Sequence, residues 1–240
     1  MRRRLVVIIG LLLVLGCLPG LAAAQSARMI LALGSTGFLD PGSIQAATGA
    51  EVKTDLDKFK LKDFSVVVLA NIALPALPDP VQQGLVQYVT DGGALLITGG
   101  SQSFGSGGYQ AAASIIPFQI RSASDWRSTP FRSPVPIQPG HPILAGVTFI
   151  TVGNLNDTNP RADATEILQA AGGGSAGRTQ SGGGGSYPYP LIAELGVGAG
   201  RVIGIAFDLN EFAGMQDRDL FVRNTIGYLV NASRIGPPTR

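Results

Sequence analysis

The sequence predicts an α/β protein on a mainly parallel sheet. The first observation is Ser65-Val66-Val67-Val68-Leu69-Ala70-Asn71, a continuous, β-branched, uncharged run of the kind a central strand needs when both its faces are covered. The second lies just downstream, where a punctuated helix leads to another buried run, Ala94-Leu95-Leu96-Ile97-Thr98. Strand, helix, strand at this spacing is a βαβ unit, and the handedness of such crossovers makes its two strands parallel. The third is composition. Gly and Pro make up about a fifth of 240 residues, under the roughly 25–30% that marks disordered low-complexity chains, and 45% of residues are hydrophobic. A folded core is therefore expected.

The first 24 residues read as an address. Arg2-Arg3-Arg4 is a basic start, residues 5–18 are almost wholly apolar, and Pro19-Gly20 breaks the run before Ala22-Ala23-Ala24. This is the layout of a secretory signal cleaved after Ala24. Two alternatives stand beside cleavage: retention as an N-terminal anchor, and lipidation at Cys17 in the box Val14-Leu15-Gly16-Cys17. All three export the rest of the chain to the periplasm or the cell exterior, touching the membrane only through this segment. Cleavage removes three of the 18 basic residues and none of the 16 acidic ones, so the formal net charge goes from +2 to −1. No Lys/Arg run remains to form a nucleic-acid footprint. It also removes the one Cys, and with one His the chain has no Cys- or His-rich metal centre and calls for no metal or cofactor.

Residues 25–233 are expected to form one domain, with 234–240 as a tail. Residues 28–33 read as a buried strand running into Gly34-Ser35-Thr36-Gly37, and 51–57 as a short edge strand. The helix after residue 78 has Asp79 as N-cap, Pro80 at the first position and Gln82 placed for a capping box. Val81, Leu85, Tyr88 and Val89 share a face, and Gly92 suits a left-handed C-cap. Residues 121–142 lose periodicity and gain prolines, which predicts a long surface loop. Strands are expected at 148–152, 165–169, 191–195 and 201–207, with a hairpin turn at 196–200. Residues 172–186 contain eight glycines in fifteen positions and read as a flexible loop. A closing helix begins near Gln216, with Val222, Ile226, Leu229 and Val230 on one face.

The stretch from Val66 to Tyr109, with Tyr88-Val89-Thr90-Asp91-Gly92-Gly93, Leu95-Leu96-Ile97, Gly99-Gly100, Ser103-Phe104-Gly105 and Gly107-Gly108-Tyr109, resembles the glutamine amidotransferase domain of bacterial envelope proteins. That family belongs to the class I glutamine amidotransferase-like superfamily. The resemblance continues through His141-Pro142-Ile143-Leu144 and 198–203. It implies a flavodoxin-like three-layer sandwich with added C-terminal strands. A class I amidotransferase works through a Cys nucleophile on the turn after a central strand, with a His base and a Glu orienter. Here that turn is Gly99-Gly100-Ser101, so the fold is expected without the thiol chemistry.

Ligands of open parallel sheets sit beyond the carboxyl ends of the strands. This singles out Ser35, Asn71, Gly99, Gly100, Ser101, Ser103, Phe104 and Tyr109 as ligand-binding candidates; the alternative for the last two is that they plug the sheet end. If the chain is instead a serine-dependent hydrolase, Ser101 or Ser103 is the nucleophile, His141 the base, and Asp208 or Glu194 the orienter. Two oxygen-rich strings, Asp208 with Asn210, Glu211, Asp217 and Asp219, and Asn154 with Asn156 and Asp157, read as caps and turns; Trp126 is a contact aromatic or tucks under its own loop. The expected function is an exported, non-catalytic amidotransferase-like domain that binds an envelope protein or a small polar ligand.

Overall fold

A computed structural model describes residues 27–132, 134–148, 152–170, 178–180, 183–187, 189–211 and 217–236. The leader and its cleavage, lipidation or anchoring lie outside the described residues. In chain order the elements are β1 (Met29–Gly34), α1 (Pro41–Thr48), β2 (Glu51–Lys53), β3 (Val66–Ala70), α2 (Asp79–Thr90), β4 (Ala94–Thr98), β5 (Phe118–Ile120), β6 (Trp126–Arg132), β7 (Pro134–Pro136), β8 (Val152–Asn156), β9 (Thr158–Pro160), β10 (Thr165–Ala170), β11 (Arg178–Gln180), β12 (Gly183–Tyr187), β13 (Tyr189–Val197), β14 (Gly200–Ile205) and α3 (Arg218–Ala232).

Eight strands form one sheet in the order β2-β1-β3-β4-β14-β13-β10-β7. From β2 to β14 every pair is parallel, and from β14 outward the added strands β13, β10 and β7 pair antiparallel. The parallel part has the flavodoxin-like order, and the fold is a three-layer α/β sandwich. Alternation along the strands divides the core. Ile30, Val68, Leu96 and Ile203 face α1 and α3, where Ile44, Phe221, Ile226 and Leu229 meet them. Leu31, Val67, Leu95 and Val202 face α2, where Val81, Leu85, Tyr88 and Val89 meet them. Strands β3 and β4 are buried throughout, as uncharged runs covered on both faces must be.

Several boundaries differ from the sequence reading. Helix α2 is capped by Pro78, whose carbonyl takes the N–H groups of Val81 (2.8 Å) and Gln82 (3.0 Å), with no side-chain cap. Asp79 is thus inside the first turn, and the capping box is not formed. The C-terminal glycine is as expected, with Gly92 at φ +114°. The 196–200 hairpin forms, joining β13 to β14 with Gly198 at φ +58°.

The long loop expected at 121–142 carries β6, which pairs with β8, and β7, which pairs with β10 as the outer edge strand of the sheet. Prolines hide these strands from a periodicity argument, yet an edge strand tolerates a missing N–H on its open side. The strand expected at 148–152 is found as β8, of which only Val152 lies in the expected range; 149–151 lie outside the described residues. Of the Gly-rich 172–186 loop, the described part is a backbone hairpin of β11 and β12, in register Arg178 to Tyr187.

Candidate functional site

In a sheet of this order the crevice opens where the crossover direction reverses, between β1 and β3. The loops after β1, β3, β4 and β14 meet there, and amides link them. Asn71, at the end of β3 with φ +43°, donates through Nδ2 to Asp208 Oδ2 after β14 (2.9 Å), and its Oδ1 accepts from the Gln102 N–H (2.9 Å). Asn tolerates the left-handed region better than most residues, which suits it to this turn. Asp208 Oδ1 accepts from both the backbone N–H (2.8 Å) and the side chain (3.1 Å) of Asn210, whose Nδ2 also donates to the Ser35 carbonyl (2.5 Å). Ser35, Asn71, Gly100 and Ser101 are therefore brought to one rim. Ser35, Ser101, Gln102 and Asn210 are exposed along it, and Asp208 is buried beneath them.

The turn after β4 is packed to its backbone. A Cβ at Gly99 would stand 2.6 Å from the Ala206 carbonyl carbon and 2.6 Å from Asn156 Oδ1. One at Gly100, whose φ is +142°, would stand 2.2 Å from Asn71 Cγ. Asn156 holds this turn with both ends of its amide: Oδ1 accepts from the Gly100 N–H (2.9 Å), and Nδ2 donates to the Gly100 carbonyl (3.1 Å) and to Asp125 Oδ1 (3.1 Å). Two carboxamides thus fill the space that a side chain on either glycine would need.

Asp125, fully buried, organises the rest of the loop. It accepts from the N–H groups of Gly105 and Ser106 (2.9 Å each) and from the Ser106 hydroxyl (2.8 Å). Sequence alone does not single out Asp125 and presents Asn156 as an ordinary turn residue, because the partners of both lie about 20 to 56 positions away in the chain.

Other candidates fall elsewhere. Phe104 and Tyr109 have no exposed surface: they belong to the core under α2, where Phe104 meets Phe118 edge-on at 5.4 Å and the Tyr109 hydroxyl donates to the Ile72 carbonyl (2.8 Å). They plug the sheet end, and the ligand-contact assignment for them is corrected. Burial pushes the Tyr109 hydroxyl well above the ordinary tyrosine range. Ser103 is also buried and donates to the Thr98 carbonyl (2.7 Å), so it faces neither the rim nor a base.

The hydrolase constellation does not assemble. His141 and Glu194 do meet, Nε2 to Oε2 at 3.3 Å, as base and orienter would. Their surroundings, however, are Arg201 (Nη1 to Glu194 Oε1, 2.9 Å), the Tyr228 hydroxyl (donating to the same oxygen at 2.5 Å) and the α3 side of the sheet, whereas the 103–109 loop packs on the α2 side. Neither Ser101 nor Ser103 bonds to His141, and Asp208 serves Asn71 and Asn210 instead. Of the oxygen-rich strings, Asn154 donates to Glu211 (3.2 Å), and Asp157 takes Arg121 and Arg127 (3.2 and 3.3 Å). No cluster of His, Cys, Asp and Glu able to hold a metal occurs among the described residues. Trp126 is half-buried on β6.

No family model matches the chain, and no curated protein matches it. Solved structures do. A cytoplasmic protein of Salmonella typhimurium is 14% identical with a TM-score of 0.62, over 84% of this chain and 99% of that one. A second cytoplasmic protein from that organism is 15% identical with a TM-score of 0.59, over 84% and 98%. A ThuA-like protein from Bacteroides uniformis is 14% identical with a TM-score of 0.57, over 90% and 96%. At such identities the likeness is one of fold. It is the fold of ThuA-like proteins, which belong to the class I glutamine amidotransferase-like superfamily.

Proposed function

We propose that this chain is an exported, non-catalytic domain of amidotransferase-like fold that binds a small polar ligand at the ends of its parallel strands. The observation that carries the reading is the packing of Gly99 and Gly100 against Asn156 and Asn71. A nucleophile elbow needs a side chain standing clear of its turn beside a base. Here neither Gly99 nor Gly100 has room for one, Ser101 makes no hydrogen bond to His141, and His141 is engaged with Glu194 and Tyr228 on the α3 side. Export rests on the basic, then apolar, then small-residue order of the first 24 residues. The rim itself offers neutral groups: the hydroxyls of Ser35 and Ser101, the Gln102 side chain and the Asn210 amide.

The experiment is a backbone-amide NMR titration of the protein with a panel of sugars, amino acids and small amides, beside labelling with a serine-reactive fluorophosphonate. Expected are shifts concentrated at Ser35, Asn71, Ser101 and Gln102 for one chemical class, abolished in Ser101→Trp, and no labelling. A covalent adduct on Ser101, or shifts that all lie away from these residues, would overturn the proposal.

A further inference from the structure

Both α1 and α3 run away from the crevice, and toward their C-terminal ends an open groove of about 520 Å³ lies between them. Its walls are Ala47 of α1, Pro142 and the Tyr228 ring, and its floor is Gly227. Arg223 stands at one end and Asn231, two turns further along α3, at the other.

Two features of this groove have no structural purpose elsewhere. Among the described residues Arg223 has no ion-pair or hydrogen-bond partner, although the other charges nearby are matched: Glu194 is held by Arg201, His141 and the Tyr228 hydroxyl. Gly227 sits inside a helix, where glycine is among the poorest choices, yet a Cβ there would meet only Thr48 Cγ2 at 3.9 Å, an ordinary contact. Neither backbone geometry nor packing requires glycine at this position. Its effect is to keep the floor of the groove open.

We propose that the groove is a second binding site, for an elongated organic carboxylate. The carboxylate pairs with the Arg223 guanidinium, whose fork matches it in two parallel hydrogen bonds. An apolar body lies over Gly227 between Pro142, Ala47 and the Tyr228 ring. The far end reaches the Asn231 amide, about 12 Å along the helix from Arg223 at 1.5 Å per residue. The helix dipole sets the same polarity, because the partial negative charge at the C-terminal end of α3 disfavours an anion beside Asn231. None of these residues belongs to the strand-end crevice, so this site stands or falls independently of the first.

Isothermal titration of the full-length chain with 4-phenylbutyrate tests it, against 4-phenylbutanol and inorganic phosphate. Saturable binding of phenylbutyrate near about 1 mM is expected, with the alcohol and phosphate each at least about tenfold weaker. Arg223→Gln should weaken phenylbutyrate about tenfold. Gly227→Ala should also weaken it while raising the melting temperature through its better helix propensity, which separates loss of binding from loss of fold. Equal affinity for acid and alcohol, affinity for phosphate matching that for the acid, affinity unchanged in both variants, or no saturation up to about 10 mM would each overturn the proposal.

Discussion

Replacing Asp125 by Asn changes no heavy-atom count and almost no volume, yet it should be among the most damaging substitutions in the chain. The carboxylate takes four hydrogen bonds, with Ser106 N–H, Ser106 hydroxyl and Asn156 Nδ2 on Oδ1 and the Gly105 N–H on Oδ2. An Asn at this place keeps its oxygen toward the three donors and turns its NH2 toward the Gly105 N–H. One buried charge-assisted bond is lost, at about 1.5–3 kcal/mol, and three others become neutral, at roughly 0.5–1 kcal/mol each, so the total is about 3–6 kcal/mol. Relief of carboxylate desolvation opposes this, but a buried carboxylate already served by two backbone N–H groups has recovered most of that cost. With m near 2–3 kcal/mol/M in urea, the midpoint should fall by about 1–3 M without a change in slope. Equilibrium urea unfolding followed by Trp126 fluorescence reads it directly, and amide exchange at residues 100–106 should accelerate before global unfolding. A midpoint within about 0.3 M of the parent would refute the assignment of Asp125 as the clamp of this loop.

Gly100→Ala places a methyl 2.2 Å from Asn71 Cγ on a backbone with φ +142°, so a loss of about 3 kcal/mol or more in urea unfolding is expected, part of it recovered by adding Asn71→Gly in a double-mutant cycle. Phe104→Ala should cost about 3–5 kcal/mol in the same assay, since the ring is fully buried; a loss under about 1 kcal/mol would mean that the ring is not core. Burial, and after it the hydrogen bond to Glu194, pushes the Tyr228 hydroxyl up to about 12, and burial pushes Tyr88 and Tyr109 higher still. These folded-state values lie above the unfolded value of about 10, so the stability they carry is whole below pH about 10 and is lost as the pH rises through that point toward 12. Around Tyr228 the ionisable neighbours are Glu194, Arg201 and His141, and Tyr228→Phe should flatten the fall in stability between about pH 10 and 12. Urea midpoints at about pH 9, 10.5 and 11.5 check it; an unchanged slope would refute it.

The parallel core is legible because its strands are buried on both faces and advertise this as uninterrupted apolar runs: β1, β3, β4 and β14 are all readable. The antiparallel extension is only half legible. Strand β10 is visible through its buried Ile167 and Leu168, whereas β7 consists of Pro134, Val135 and Pro136, whose propensities oppose a strand and whose place at the sheet edge permits one. At the site, the vacancy of the nucleophile position is readable from residue type alone. The groups that fill it are not, because Asn71, Asp125 and Asn156 act through partners far away in sequence, and an isolated Asn or Asp reads as a turn former. His141 and Glu194 are a pair that residue type suggests, but only the sheet decides on which face a loop settles, and it sends the 103–109 loop to the other side while Ser101 stays at the strand-end rim.

The filling of the vertex also constrains the kind of ligand the crevice can take. Many α/β proteins use strand ends to hold phosphates, with free backbone N–H groups and a basic side chain. In this chain the Gly100 N–H is spent on Asn156, the Gln102 N–H on Asn71, and those of Gly105 and Ser106 on Asp125. Two carboxylates, Asp208 and Asp125, lie under the loops, and Glu211 stands at the rim. An anion would meet acidic groups and few unused donors, so the rim of Ser35, Ser101, Gln102 and Asn210 is suited to neutral hydroxyl or amide ligands. Affinity there should accordingly vary little with salt, whereas binding at Arg223 should weaken as ionic strength rises.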